Sequence, residues 1–102
     1  MIVVEGFFGV MHLWQCGFKN VVALMGKELS DKQLGLLLSS SDRITLFLDG
    51  DPPGRDASKK VTAQLINSTF VRVIKYSEGK MRKPAHFEKK KLVELLRKHT
   101  PR

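Results

Sequence analysis

The sequence predicts an α/β fold, a three-layer α/β/α arrangement around a four-stranded, mainly parallel sheet of order 2-1-3-4. Two observations lead there. Short β-branched or apolar runs alternate along the chain with stretches of helical spacing, and that alternation with short connections builds parallel sheets through right-handed crossovers. The first and third runs, IVVE (2–5) and RITLFLD (43–49), are apolar almost throughout, as strands covered on both faces must be.

Each element follows in turn. After the strand at 2–5, residues 7–16 carry Phe8, Met11, Leu13 and Trp14 at helical spacing, which places them, with Phe7, in the core rather than on a base-stacking platform. NVVAL (20–24) is the second strand, and Ser30, a good N-cap, opens a helix over 31–39 with Leu34, Leu37 and Leu38 inside. The third strand at 43–49 leads into a helix over 53–66 that buries Ala57, Val61 and Leu65, and FVRVIKY (70–76) is the fourth strand. A last helix, about residues 86–99, buries Phe87, Leu92, Leu95 and Leu96 and turns its lysines outward. SSSDR (39–43) and SEGKMRKP (77–84) are the only loop-like segments, and both are too short to separate domains. Residues 1–102 are therefore expected to form one domain with a basic C-terminal helix.

Composition narrows the function classes. With 42% hydrophobic and 27% charged residues and no long apolar run, a membrane protein is not expected. The opening MIVVEG lacks a basic leader, and Cys16 is the single cysteine, so a cytoplasmic location is expected. The net charge of +8 is uneven: residues 1–79 hold nine Lys and Arg against eight Asp and Glu, whereas residues 80–102 hold nine against two. A basic end of this kind either keeps a helix face solvated or attracts a polyanion.

Ligands of open α/β sheets bind beyond the carboxyl ends of the strands, and that location selects three acids. Glu5 ends the first strand before Gly6; Asp49 ends the third, with Gly50 and Asp51 after it. A strand order of 2-1-3-4 sets the first and third strands side by side, so that the three carboxylates converge. Without a cation they repel one another, and a hard divalent ion such as Mg²⁺ or Mn²⁺ suits so sparse an oxygen set. The alternative is a polar turn in which aspartate and proline simply begin a helix. Arg55, one turn into that helix, either reaches a phosphate or pairs with Asp51 or Asp56. His12 and Cys16 are four apart, but no second His or Cys pair accompanies them, and Cys16 is expected as a small buried residue.

VVEGFFGVMHLWQCGFKNVVALMGKELSDKQLGLLL and the following DRITLFLDGDPPGRDASKK resemble the Toprim domain shared by bacterial and phage primases, topoisomerases and some nucleases. The likeness is strongest to the primase branch, covers about residues 2–80, and implies a Rossmann-like fold. It also implies that Glu5 is a general acid or base and that Glu5, Asp49 and Asp51 hold Mg²⁺; Gly6, Gly26, Gly54 and Arg55 match as well. This chain has Gly9 where primase-like sequences usually carry aspartate. After Glu78-Gly79-Lys80 it has Lys83, Pro84 and Ala85 where further acids usually follow. Lysine and alanine do not ligate Mg²⁺.

Two functions follow from these readings. One is a small primase-related protein that binds Mg²⁺ and acts on nucleic acid or nucleotides by nucleotidyl transfer or phosphodiester cleavage, with Arg55, Lys80, Arg82, Lys83, Lys89 and Lys90 holding phosphate. The other is a non-catalytic nucleic-acid-binding or assembly module with a degenerate metal site, working beside replication proteins. A phosphatase using Asp49 as nucleophile fits less well, because it leaves Glu5 unexplained.

Overall fold

The structure, a computed structural model, describes residues 1–26, 28–40, 42–74 and 83–98, the last two as backbone only. Its elements are β1 (Ile2–Val4), α1 (Phe7–Gln15), β2 (Val21–Ala23), α2 (Asp31–Ser40), β3 (Arg43–Leu46), α3 (Pro52–Leu65), β4 (Phe70–Val73), a 3-10 turn (Pro84–His86) and α4 (Lys89–Lys98). The four strands form one sheet of order β2-β1-β3-β4, parallel at every pairing. The expected order and strand direction are therefore present. Val3 pairs with Val22 on one side and Leu46 on the other, and Leu46 pairs onward with Val73. Main-chain bonds continue past the ladder, from Phe47 N–H to Val3 O and from Ile74 N–H to Leu46 O.

Alternate residues of the central strands serve two cores, as the period of two requires. Val3, Leu46 and Leu48 pack with Leu37 of α2 and Ala57, Val61 and Leu65 of α3. Val4, Phe47 and Ile74 pack with Leu13 of α1, Phe87, and Leu92, Leu95 and Leu96 of α4. Both faces of the sheet are thus covered, which is why its strands read as continuous apolar runs.

α1 corrects one expectation. Phe7, Phe8, Met11 and Trp14 are exposed, at 64%, 75%, 45% and 50%, whereas Gly9 and Leu13 are buried. The stripes 7-11-14 and 9-13-16 both keep helical spacing, and hydrophobicity alone favours the outer one. Closeness decides the other way: a Cβ on Gly9 would stand 3.1 Å from Cγ2 of Val4, so the small-residue face lets α1 approach the sheet. Lys19 lies over the Trp14 ring, 5.2 Å from its centre, a contact open to solvent.

Smaller differences concern element ends. Ser39 and Ser40 belong to α2 rather than to a loop, and both hydroxyls donate to the Leu36 carbonyl oxygen. The expected Ser30 cap is a reciprocal box: Gln33 N–H donates to Ser30 Oγ at 3.1 Å and Ser30 N–H to Gln33 Oε1 at 2.9 Å. The last helix starts at Lys89, after the turn at Pro84–His86 and an extended Phe87. Phe87 is a core residue 6.2 Å from the Phe47 ring, and its carbonyl oxygen accepts from His12 Nε2 at 2.5 Å. His12 therefore pins the C-terminal segment to α1; Cys16 packs beside it, half-buried, 3.9 Å from that nitrogen. Among the described residues, no helix is long and apolar enough to cross a membrane.

Candidate metal centre

β1 and β3 are neighbours and run in the same direction, so the residues that follow them emerge together at one edge of the sheet. Glu5 follows β1 directly. Its carbonyl oxygen accepts from Met25 N–H at 2.9 Å, tying the β1 exit to the turn after β2. Met25 turns there with φ 60°, a left-handed conformation that costs a bulky residue free energy. On the other side, Phe47 and Leu48 are buried up to the point where Asp49 reaches the edge.

Asp51 caps α3: Gly54 N–H donates to its Oδ1 at 2.9 Å, and Pro52 and Pro53 fill the first helical positions. The helix-start alternative for this aspartate is thus realised, and one of its oxygens is committed. The close fit depends on Gly54, because a Cβ there would overlap the carbonyl oxygen of Asp49. The sequence D-G-D-P-P-G therefore works as one unit, in which the second acid starts the helix and the glycine lets that helix sit on the first acid's backbone.

Glu5 and Asp49 are paired. The pKa of Glu5 is pushed up from 4.5 to about 7, first by burial, then by its side-chain hydrogen bond to Asp49 and by the negative charges of Asp49 and Asp51. A hydrogen bond with the Asp49 backbone works in the opposite sense. A protonated Glu5 thus donates to the Asp49 carboxylate, which is how two acids share a site without a metal ion. Asp51 enters this pair through its charge. Among the described residues, no three His, Cys, Asp or Glu side chains are grouped closely enough to hold one ion together. The expected convergence of three carboxylates is thus a hydrogen-bonded pair with a third charge beside it.

The basic residues fall into separate places. Lys83 lies on the acids: its Nζ is 3.5 Å from Asp49 Oδ2, with the lysine side chain 57% and the aspartate side chain 11% exposed. Arg55 lines a cleft of about 760 Å³ together with Asp49 and Gly50. Lys89 and Lys90 are exposed on α4, which covers the opposite face of the sheet from α3. Lys80 and Arg82 lie outside the described residues. Two features escaped the sequence reading. Lys59, one turn beyond Arg55, lines the same cleft, and the i, i+4 spacing was the available signal. The pairing of Lys83 with Asp49 had no local signal, since it joins residues distant in the chain.

Comparison with known proteins agrees with this fold. Residues 2–82 match a family model described as Toprim-like. The chain is 42% identical over 65 residues to the DNA primase of Helicobacter pylori, across 64% of this chain and 12% of that protein. It is 40% identical over 79 residues to the DNA primase of Rickettsia bellii, across 71% of this chain and 13% of that protein. The chain spans about an eighth of the length of these curated relatives. Among solved structures, the zinc-binding and RNA polymerase domains of the Aquifex aeolicus primase superpose with a TM-score of 0.83 at 31% identity, over 97% of this chain and 25% of that one.

Proposed function

Because the chain belongs to the Toprim-like family, and to its primase type by likeness, we propose that it binds Mg²⁺, or Mn²⁺ in its place, through Glu5 and Asp49, with Asp51 adding its negative charge beside them. The site then acts on nucleic acid or nucleotides by nucleotidyl transfer or phosphodiester cleavage. One observation carries this reading: Glu5 and Asp49 leave the neighbouring parallel strands β1 and β3 at the same edge of the sheet, where burial and the nearness of Asp49 and Asp51 raise the Glu5 pKa to about 7. The donor set is all carboxylate oxygen, and Mg²⁺ typically takes one or two carboxylates and completes its shell with water. Asp49 and Glu5 fit that demand, while Asp51 commits one oxygen to the cap.

When bound, the ion supplies positive charge that stabilises a phosphoryl group in transfer and orients its oxygens. The protein's own groups divide the remaining work. A pKa of about 7 lets Glu5 give or take a proton near neutral pH. Arg55 and Lys59, lining the cleft beside Asp49, hold phosphate, Arg55 in a bidentate fork. Lys89 and Lys90 attract the backbone of a nucleic acid from the opposite layer.

The test is a Mn²⁺ titration followed by NMR. Broadening confined to signals around Glu5 and Asp49, and absent in Asp49→Asn, supports the proposal; broadening spread over the surface or unchanged in that variant refutes it. A second reading, a non-catalytic binding or assembly module working with replication proteins, is favoured by the ion pair of Lys83 with Asp49. Its signature is nucleic-acid binding that needs no divalent ion and survives Asp49→Asn.

A further inference from the structure

Lys83 reaches Asp49 from a firmly held segment. Pro84 is buried, His86 N–H donates to the Lys83 carbonyl oxygen at 2.9 Å, and Phe87, 1% exposed, packs on Phe47 two residues before Asp49. His12 fixes the Phe87 carbonyl oxygen from α1. The backbone of Lys83 is thus anchored to the same core that positions the acid, and the side chain spans from one to the other. Its ammonium stands 3.5 Å from Oδ2 of a carboxylate that is only 11% exposed. That oxygen is one that the proposed ion needs.

We infer that Lys83 is a tethered cation that competes with the divalent ion for Asp49, so that metal loading requires the ammonium to swing away. The inference rests on the metal-binding reading above and adds the element that sets its affinity. An ammonium donates hydrogen bonds to a carboxylate but cannot join it as a metal ligand, so lysine and metal exclude each other at Oδ2. A single positive charge placed next to a divalent ion also repels it. The lysine side chain is 57% exposed, so it has solvent to move into, and the exchange is a rotation of one side chain without a change of fold. Where other carboxylates would strengthen the site, this chain carries its own counter-ion and holds the acids ready in the metal-free state.

Calorimetric titration of the full chain with MnCl₂ tests this, using wild type, Lys83→Gln, Lys83→Arg and Asp49→Asn. Removing the charge in Lys83→Gln is expected to tighten Mn²⁺ binding about tenfold, the scale of one neighbouring unit charge at a partly exposed site. Lys83→Arg, which restores the cation, is expected to bind as wild type does, and Asp49→Asn to abolish binding. Thermal melts confirm that each variant is folded. Equal affinity in wild type and Lys83→Gln, with Asp49 dependence intact, overturns the competition while leaving the metal site. Weaker binding in Lys83→Gln overturns it too. The lack of Asp49-dependent binding in every variant removes the metal reading and the competition with it.

Discussion

Gly54 rests directly against the backbone carbonyl of Asp49, with no room between them for a methyl group. The first turn of α3 is thereby pressed onto the acid that leaves β3, and the cap from Asp51 to Gly54 N–H is held in the same contact. Gly54→Ala is expected to destabilise the fold by about 2 kcal/mol, within the usual range for overpacking, and to disturb Asp49 as well. Gly35→Ala is the control. Gly35 is exposed inside α2 with open space around it, so alanine there is expected to add up to about 1 kcal/mol through helix propensity. Urea denaturation of the two variants measures both, and equal effects would contradict the close approach.

The Glu5 pair makes stability depend on pH. With a folded pKa of about 7 against 4.5 for the free side chain, Glu5 holds a proton in the native state that the unfolded state has lost over that interval. Its contribution is fully present below about pH 4.5 and is lost as pH rises through about 7. Without divalent ions, the melting temperature of wild type is therefore expected to fall across this window more steeply than that of Glu5→Gln. Parallel curves for the two proteins would show that Glu5 titrates normally.

Nucleic-acid binding by the basic end calls for substitutions on α4 rather than its removal. Phe87, Leu92, Leu95 and Leu96 are core residues, so cutting at residue 86 would remove one side of the second hydrophobic cluster along with the charge. Lys89→Ala and Lys90→Ala change exposed positions. Each is expected to lower affinity for single-stranded DNA and to reduce the salt dependence, as the slope of log K against log salt, by about 0.7. Fluorescence anisotropy across a salt series reads this directly. Unchanged slopes would place the DNA contact elsewhere.

Much of the fold was legible because the signals were local or periodic. Parallel order followed from the apolar runs at 2–5 and 43–49, whose residues face two cores, and the start of α3 followed from Asp51, Pro52 and Pro53. α1 was misread at its surface because its aromatic stripe and its small-residue stripe share one period, and only the approach of Gly9 to Val4 distinguishes them. At the candidate site, the nearness of Glu5 and Asp49 followed from their places at the ends of two neighbouring strands. The commitment of Asp51 to a cap was visible as an alternative, since aspartate before proline starts helices. Lys83 read as a lost acid and as a cation for phosphate, not as a partner of Asp49, because that contact joins residues far apart in the chain and depends on Phe87 packing on Phe47.

Proton release on Mg²⁺ binding tests the central claim, that Glu5 and Asp49 form one divalent-ion site, most directly. A metal ligand must shed its proton, and Glu5 carries one below about pH 7. Calorimetric titrations at about pH 6 in buffers of different ionisation enthalpy are expected to show about one proton released per ion bound, with far less at about pH 8 and none from Glu5→Gln at either pH. Release that is the same at both pH values, or that persists in Glu5→Gln, would contradict the pairing, and the lack of Mg²⁺ binding by wild type would contradict the site itself.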